Sequence, residues 1–268
     1  MHLKRWITGL VALPIIILLV STGGGVFFMM IVVAGVLTLG EYYRAVFKPG
    51  AKGALRLIAW LGMGICPLIL WTAYRGGMVY IPLIVAIDLV VAAGLTLPLF
   101  RDDPQAPHLA AKQVLGLIYI AVSLSFLILI RQGEAGAGWI FWILCTVAGG
   151  DIGAFYVGTY LGRRKLCPWV SPKKTIEGSL GGLAANVVVA LVFGMILLPR
   201  PAILPSIVFV LTIGVAGQVG DLFASEFKRS AGIKDSGTLL PGHGGFLDRL
   251  DALLFASPLA YLLKISIF

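Results

Sequence analysis

Charge is scarce in this chain. Only 12% of its 268 residues are Asp, Glu, Lys or Arg, against 59% hydrophobic residues and a mean hydropathy of +0.99. That balance excludes a soluble domain that hides its apolar surface in one core. Cysteine is nearly absent too: Cys66, Cys145 and Cys167 stand in separate segments with no CxxC spacing. Neither a disulfide framework nor a thiolate metal site follows, and the three read as small apolar fillers. Low-complexity tracts and internal repeats with matched motifs are missing, which weighs against the inverted-repeat transporters. A Walker A loop is missing as well, because Gly158-Thr159-Tyr160-Leu161-Gly162 does not give the required glycine-to-lysine spacing.

What the chain has is apolar length. Nine segments stand out, at 6–20, 26–39, 54–74, 78–100, 112–130, 138–160, 178–198, 203–223 and 249–267. They are apolar on all faces rather than alternating, so they predict spanning helices and not a barrel. The expected fold is therefore all-α, a polytopic membrane bundle of about nine transmembrane helices. It is expected to be a single membrane unit, with N-terminal transmembrane helices over 1–148 and a C-terminal transmembrane region over 149–268. The first two segments are short and separated by Ser21-Thr22-Gly23-Gly24-Gly25, so a re-entrant hairpin competes with two spans. Two spans are preferred because Arg and Lys flank both outer ends. Lys4 and Arg5 before the first run superficially resemble a signal peptide, but no A-x-A-like site follows and cleavage is not expected.

Alternate connections differ sharply in Lys and Arg. Seventeen of the 21 fall in one set, leaving only Arg75, Arg131, Arg200 and Lys264 in the other. The positive-inside rule then puts the N-terminus and the even-numbered connections in the cytoplasm and the C-terminus outside. The net charge of +9 is concentrated on one membrane face, where it suits anionic headgroups or a polyphosphate, although topology alone produces the same bias.

The acids that do occur are clustered. Residues 220–251 hold Asp221, Glu226, Asp235, Asp248 and Asp251 together with Lys228, Arg229, Lys234, Arg249 and His243. Asp221 and Ser225 are four apart, so a continuing helix puts carboxylate and hydroxyl on one face, with Lys228 a turn further on. Those hard oxygens are half of a Mg²⁺ site that substrate phosphates would complete. Asp248 and Asp251 are placed to supply the opposing wall, or else merely to pair with Arg249, Lys228 or Arg229.

Two upstream stretches add to this. Asp151 sits among glycines inside an apolar span, either at a functional site or at a helix-packing site satisfied by a neighbouring hydroxyl. Ser171-Pro172-Lys173-Lys174-Thr175 offers two ammonium groups beside hydroxyls as a phosphate cradle, while Arg163-Arg164-Lys165 reads as a topology determinant.

These stretches also carry a family resemblance. Ser225-Glu226-Phe227-Lys228-Arg229, Lys234-Asp235-Ser236-Gly237, Leu240 through Phe246, and Asp248-Arg249-Leu250-Asp251 resemble the signature of the CDP-diacylglycerol synthases, or phosphatidate cytidylyltransferases. Asp151 through Phe155 and Ser171 through Gly178 resemble upstream elements of the same family. The likeness covers 149–253; the first half is similar only in being hydrophobic.

The resemblance implies Mg²⁺-dependent transfer from CTP to phosphatidate, giving CDP-diacylglycerol and pyrophosphate at the cytoplasmic side of the plasma membrane, by a homodimer. It implies Asp221, Ser225 and Asp248 as metal ligands. Lys228, Arg229, Lys234, Asp235, His243, Arg249 and Asp251 fall in the catalytic signature, and Asp151, Ser171, Lys173, Lys174 and Thr175 fall to substrate. Phe155 stands where Tyr is expected, and Ala224 where many members carry an acid. A transporter or channel for an anionic solute is the competing class, since it too uses intramembrane acids and a basic face.

Overall fold

The structure, a computed structural model, describes residues 2–47, 54–198, 202–237 and 244–268. Among the described residues nine helices follow one another: α1 His2–Thr22, α2 Gly24–Val46, α3 Ala54–Tyr74, α4 Ile81–Thr96, α5 Pro107–Gln132, α6 Gly136–Tyr160, α7 Ile176–Leu197, α8 Ile203–Ser230 and α9 Leu247–Ile267. Single 3₁₀ turns, Met78–Tyr80 and Pro98–Arg101, extend α4 at both ends, and the middle of α5, Leu117–Val122, is π-helical. Among the described residues, the stretches containing α2 to α9 are long and apolar enough to cross a membrane, and α1 adds the apolar stretch Leu10–Thr22. The chain is a polytopic helical membrane protein. Helices prevail because lipid offers backbone N–H and C=O groups no partner, so each run must satisfy its own.

Each of the nine apolar segments has become a helix; most ends move outward, 54–74 is unchanged, and α4 is the shorter 81–96 with a 3₁₀ turn toward each end. The first two are two helices that meet at Gly23 and Gly24, whose φ of 68° and 52° are left-handed values that a side chain resists. At its C-terminal end α8 runs on from the expected 223 to Ser230, as α2 runs on from 39 to Val46, so the first part of the charged cluster is helical as its spacing predicts.

One element was not anticipated. Lys165–Cys167 (β1) pairs antiparallel with Ser171–Thr175 (β2), with Lys165 opposite Thr175 and Cys167 opposite Ser171. The unequal spacing is a bulge, and it lies beside Pro172, which cannot donate to a ladder.

The chain forms two compact units. One comprises Met1–Leu129 with Asp235–Leu247, the other Ile130–Lys234 with Asp248–Phe268. In the first unit, Leu39, Tyr42, Ile69, Leu70, Leu117 and Ile120 are fully buried. Asp88 of α4 is buried there and accepts from Gln113 Nε2 at 3.0 Å.

The second unit is assembled through glycines. A Cβ on Gly182 of α7 would lie 2.8 Å from Gly150 O of α6, and one on Gly150 would lie 2.6 Å from Asn186 Oδ1. A Cβ on Gly220 of α8 would lie 3.1 Å from Phe255 Cβ of α9. Such small-residue stripes let helix backbones approach closely in lipid, where packing rather than hydrophobicity drives association. Trp142, stacked on Phe209 at 4.6 Å, fills the opposite end of this unit from Asp151, nine residues or roughly 13 Å further along α6.

Candidate active site

The second unit gathers its ionisable residues where α6, α8, α9 and β2 meet. Each arrives by a different local device. Asp151 is carried by α6 next in sequence to Gly149 and Gly150, which with Gly153 pack that helix against α7. β2 delivers Lys174 immediately before α7, whose start is fixed by Thr175: this N-cap residue is buried, and its hydroxyl accepts from Gly178 N at 3.1 Å. Glu177 holds the preceding loop by accepting from Arg163 N at 3.0 Å and Arg164 N at 3.1 Å. On the next helix, Ser179 Oγ donates to Gln218 Oε1, and Gln218 Nε2 donates back to Ser179 O at 3.0 Å, fixing α7 against α8 one turn before Asp221.

Two ion pairs organise the cluster. Lys174 Nζ lies 2.6 Å from Asp221 Oδ2, and Lys228 Nζ lies 2.6 Å from Asp248 Oδ1. Ser225 Oγ donates to Asp221 Oδ1 at 3.4 Å, as their spacing predicts. The charges of Asp151 and Asp251 both interact with that of Asp221; Lys174 and Arg249 act on Asp151, and Lys228 acts on Asp251. The tight approach of Gly220 to the Asp251 backbone explains why Asp221 and Asp251 feel each other.

Among the described residues four carboxylates, Asp151, Asp221, Asp248 and Asp251, meet three cations, Lys174, Lys228 and Arg249, a formal excess of one negative charge. A phosphate-bearing ligand would need additional positive charge to settle there. Among the described residues no three His, Cys, Asp or Glu side chains form a ready-made metal cage. Asp221 and Asp248 nonetheless each take a cation at 2.6 Å, and Ser225 adds a hydroxyl. Carboxylate and hydroxyl oxygens are the donor type that Mg²⁺ takes, since it retains waters and is completed by substrate phosphates rather than enclosed by protein.

The remaining predicted residues lie around this centre. Lys173, Arg229, Lys234 and Asp235 are exposed and Ser171 is half-buried on β2; Arg229 Nε donates to Val170 O in the turn between β1 and β2 at 3.5 Å. His243, with Leu240, Pro241 and Gly242, lies outside the described residues. Phe155, where Tyr was expected, is exposed on α6, and Ala224, where an acid was expected, is fully buried in α8. An apolar groove runs along α8 and α9 beside the cluster, lined by Leu211, Val215, Val219, Phe255 and Leu259.

Glu41 of α2, in the first unit, was missed. It is fully buried and accepts from Ser236 Oγ at 2.9 Å, Phe246 N at 3.1 Å and Leu247 N at 3.0 Å. An acid so close to the 26–39 apolar run was the available signal.

The fold and the site define a helical membrane protein with paired acids and ammonium groups at one end of a glycine-packed bundle. The comparisons are more specific. The chain belongs to the cytidylyltransferase family, whose model matches residues 3–267. It is similar to the phosphatidate cytidylyltransferase of Bacillus subtilis (strain 168), at 43% identity over 151 residues, 56% of each chain. It is also similar to that of Staphylococcus saprophyticus, at 37% over 158 residues, 59% of this chain and 60% of the relative. A protein of Escherichia coli (strain K12) named Uncharacterized protein YnbB is 41% identical over 128 residues, 48% of this chain and 43% of the relative. The matches span little more than half the length of the first two of these relatives and less than half of the third.

Proposed function

We propose that this protein is a phosphatidate cytidylyltransferase, converting CTP and phosphatidate to CDP-diacylglycerol and pyrophosphate, with Mg²⁺, at the cytoplasmic face of the plasma membrane. The observation that carries the reading is the pair of 2.6 Å ion pairs, Lys174 with Asp221 and Lys228 with Asp248, in a chain of the cytidylyltransferase family. The names of the bacterial relatives support the lipid substrate.

The reaction needs a phosphatidate oxygen to form a bond to the α-phosphorus of CTP as the bond to the pyrophosphate oxygen breaks. Two polyanions must approach, so charge neutralisation and alignment dominate the barrier. The nucleophile is already an anion, and no strong general base is required. Lys174, Lys228 and Arg249 bind phosphate oxygens, exchanging a carboxylate partner for a substrate one. Asp221, Ser225 and Asp248 would hold Mg²⁺, which when bound draws charge from the CTP phosphates and the leaving pyrophosphate. Asp151 and Asp251 keep the ammonium groups charged and oriented. Acyl chains rest along the Leu211–Leu259 groove while the headgroup reaches the cluster. Lys173, Arg229 and Lys234, all exposed, screen the incoming anion.

The test is direct. Purified protein in mixed micelles with CTP, Mg²⁺ and phosphatidate should release pyrophosphate in step with CDP-diacylglycerol. Absence of release with every divalent ion tried would overturn the proposal. A homodimer, implied by resemblance, is checked by mass measurement in detergent.

A further inference from the structure

The transferase reading leaves the first half of the chain without a part in the chemistry. One side chain there is out of place as scaffold. Glu41 sits near the C-terminal end of α2, with no exposed surface, among residues such as Leu39, Tyr42 and Tyr43 that are themselves buried. A carboxylate in such a position is costly unless its oxygens are met by donors. Among the described residues its donors come from one stretch, the connection that carries the family signature: Ser236 Oγ and Leu247 N on Oε2, and Phe246 N on Oε1. These donors lie on both sides of residues 238–243, so a single carboxylate ties the two flanks together. Leu247 is the first residue of α9, and its N–H is an orphan donor that an anion satisfies well.

The signature's glycines fit the same purpose. A Cβ on Gly237 would lie 2.8 Å from Glu41 Cδ, and one on Gly245 would lie 2.6 Å from it. Neither position has room for a side chain while the carboxylate is in place. The residues of the connection that bear chemistry are Lys234 and Asp235 just before Ser236, and Asp248 and Arg249 just after Leu247. Their placement depends on how the flanks are held.

Resting on the transferase reading, we propose that Glu41 is a positioning residue for the signature connection, setting the CTP-binding geometry through Ser236, Phe246 and Leu247. Glu41→Gln is an informative change because it keeps shape and removes one acceptor. Whichever amide orientation it takes, an NH₂ group faces a backbone N–H, either that of Phe246 or that of Leu247. Ser236→Ala is milder, deleting one bond and leaving the carboxylate.

Both variants are compared with wild type as full-length protein in detergent micelles, by pyrophosphate release against CTP concentration and by hydrogen exchange of residues 235–247. Glu41→Gln should raise KM for CTP by about fivefold or more and lower kcat/KM by about tenfold or more, with Ser236→Ala shifting KM in the same direction by less. Exchange over 235–247 should quicken while that of α3 and α4 stays as in wild type. A fall in kcat at unchanged KM is what partial misfolding gives and would overturn the role, as would wild-type kinetics. If Glu41→Gln does not accumulate as folded protein, an unchanged KM in Ser236→Ala overturns it. If wild type itself releases no pyrophosphate, the transferase reading has failed separately. The exchange experiment then decides the pinning: unchanged exchange in Glu41→Gln refutes it and faster exchange supports it.

Discussion

Lys228 Nζ lies 2.6 Å from Asp248 Oδ1, with 13% and 8% of the two side chains exposed. This pair joins the last turns of α8 to the first turn of α9. Breaking a buried ion pair from one side costs more than the pair contributes, since a charge is left behind. Lys228→Met should therefore destabilise the protein by about 3 kcal/mol, measured by thermal unfolding in detergent. The double variant Lys228→Met with Asp248→Asn should recover most of that loss and remain inactive. Recovery of activity along with stability would reduce the pair to a structural strut.

The Lys174–Asp221 pair is more open, at 28% and 35% exposure, and solvent screens it. Lys174→Ala should cost no more than about 1 kcal/mol of stability. Pyrophosphate release should nonetheless fall at least about tenfold, the worth of one charged contact to phosphate. Equal losses in stability and rate would contradict a substrate role.

Asp221→Asn and Asp248→Asn test the cation site. Each keeps the side chain's shape and removes the charge that hard cations require. Turnover should drop by about 100-fold or more with folded protein still in the membrane. Near-normal turnover by either variant at limiting Mg²⁺ would refute its assignment as a ligand.

Glycine packing can be tested apart from chemistry. In Gly182→Ala the new methyl would lie 2.8 Å from Gly150 O and 3.1 Å from Ala154 Cβ, and one of the helices must move. Overpacking of this kind costs about 1–3 kcal/mol. Gly94→Ala is the matched control, since nothing lies within 4 Å of the added carbon. Its thermal midpoint should stay level or rise, alanine being the better helix former.

Orientation is checked by labelling. With Cys66, Cys145 and Cys167 replaced, single cysteines at Lys173 and, near Gly237, at the exposed Lys234 should react with impermeant reagents from the cytoplasmic side only. Reaction from outside would overturn the orientation expected from the distribution of Lys and Arg.

Much of this fold was readable in advance because hydrophobicity acts locally: a run of about 20 apolar residues in lipid has few options besides a helix. The same locality made Asp221 and Ser225 legible as a pair, four residues apart on one helix. The β1–β2 hairpin escaped notice because its few residues carry no period, and Pro172 argues against a strand. Glu41 escaped because it falls just beyond the 26–39 apolar segment, where an acid reads as an ordinary loop charge.

Residue order therefore dictated how many helices form, where the charge lies and which turn carries each acid, since all of these follow from neighbours along the chain. Tertiary packing alone chose the partners: Lys228 for Asp248 across 20 positions, Lys174 for Asp221, and Ser236 for Glu41 across 195. Those choices rest on how closely glycine-faced helices approach and on which buried carboxylate a donor can reach. Such distances belong to the folded bundle and leave no periodic trace in a linear string of residues.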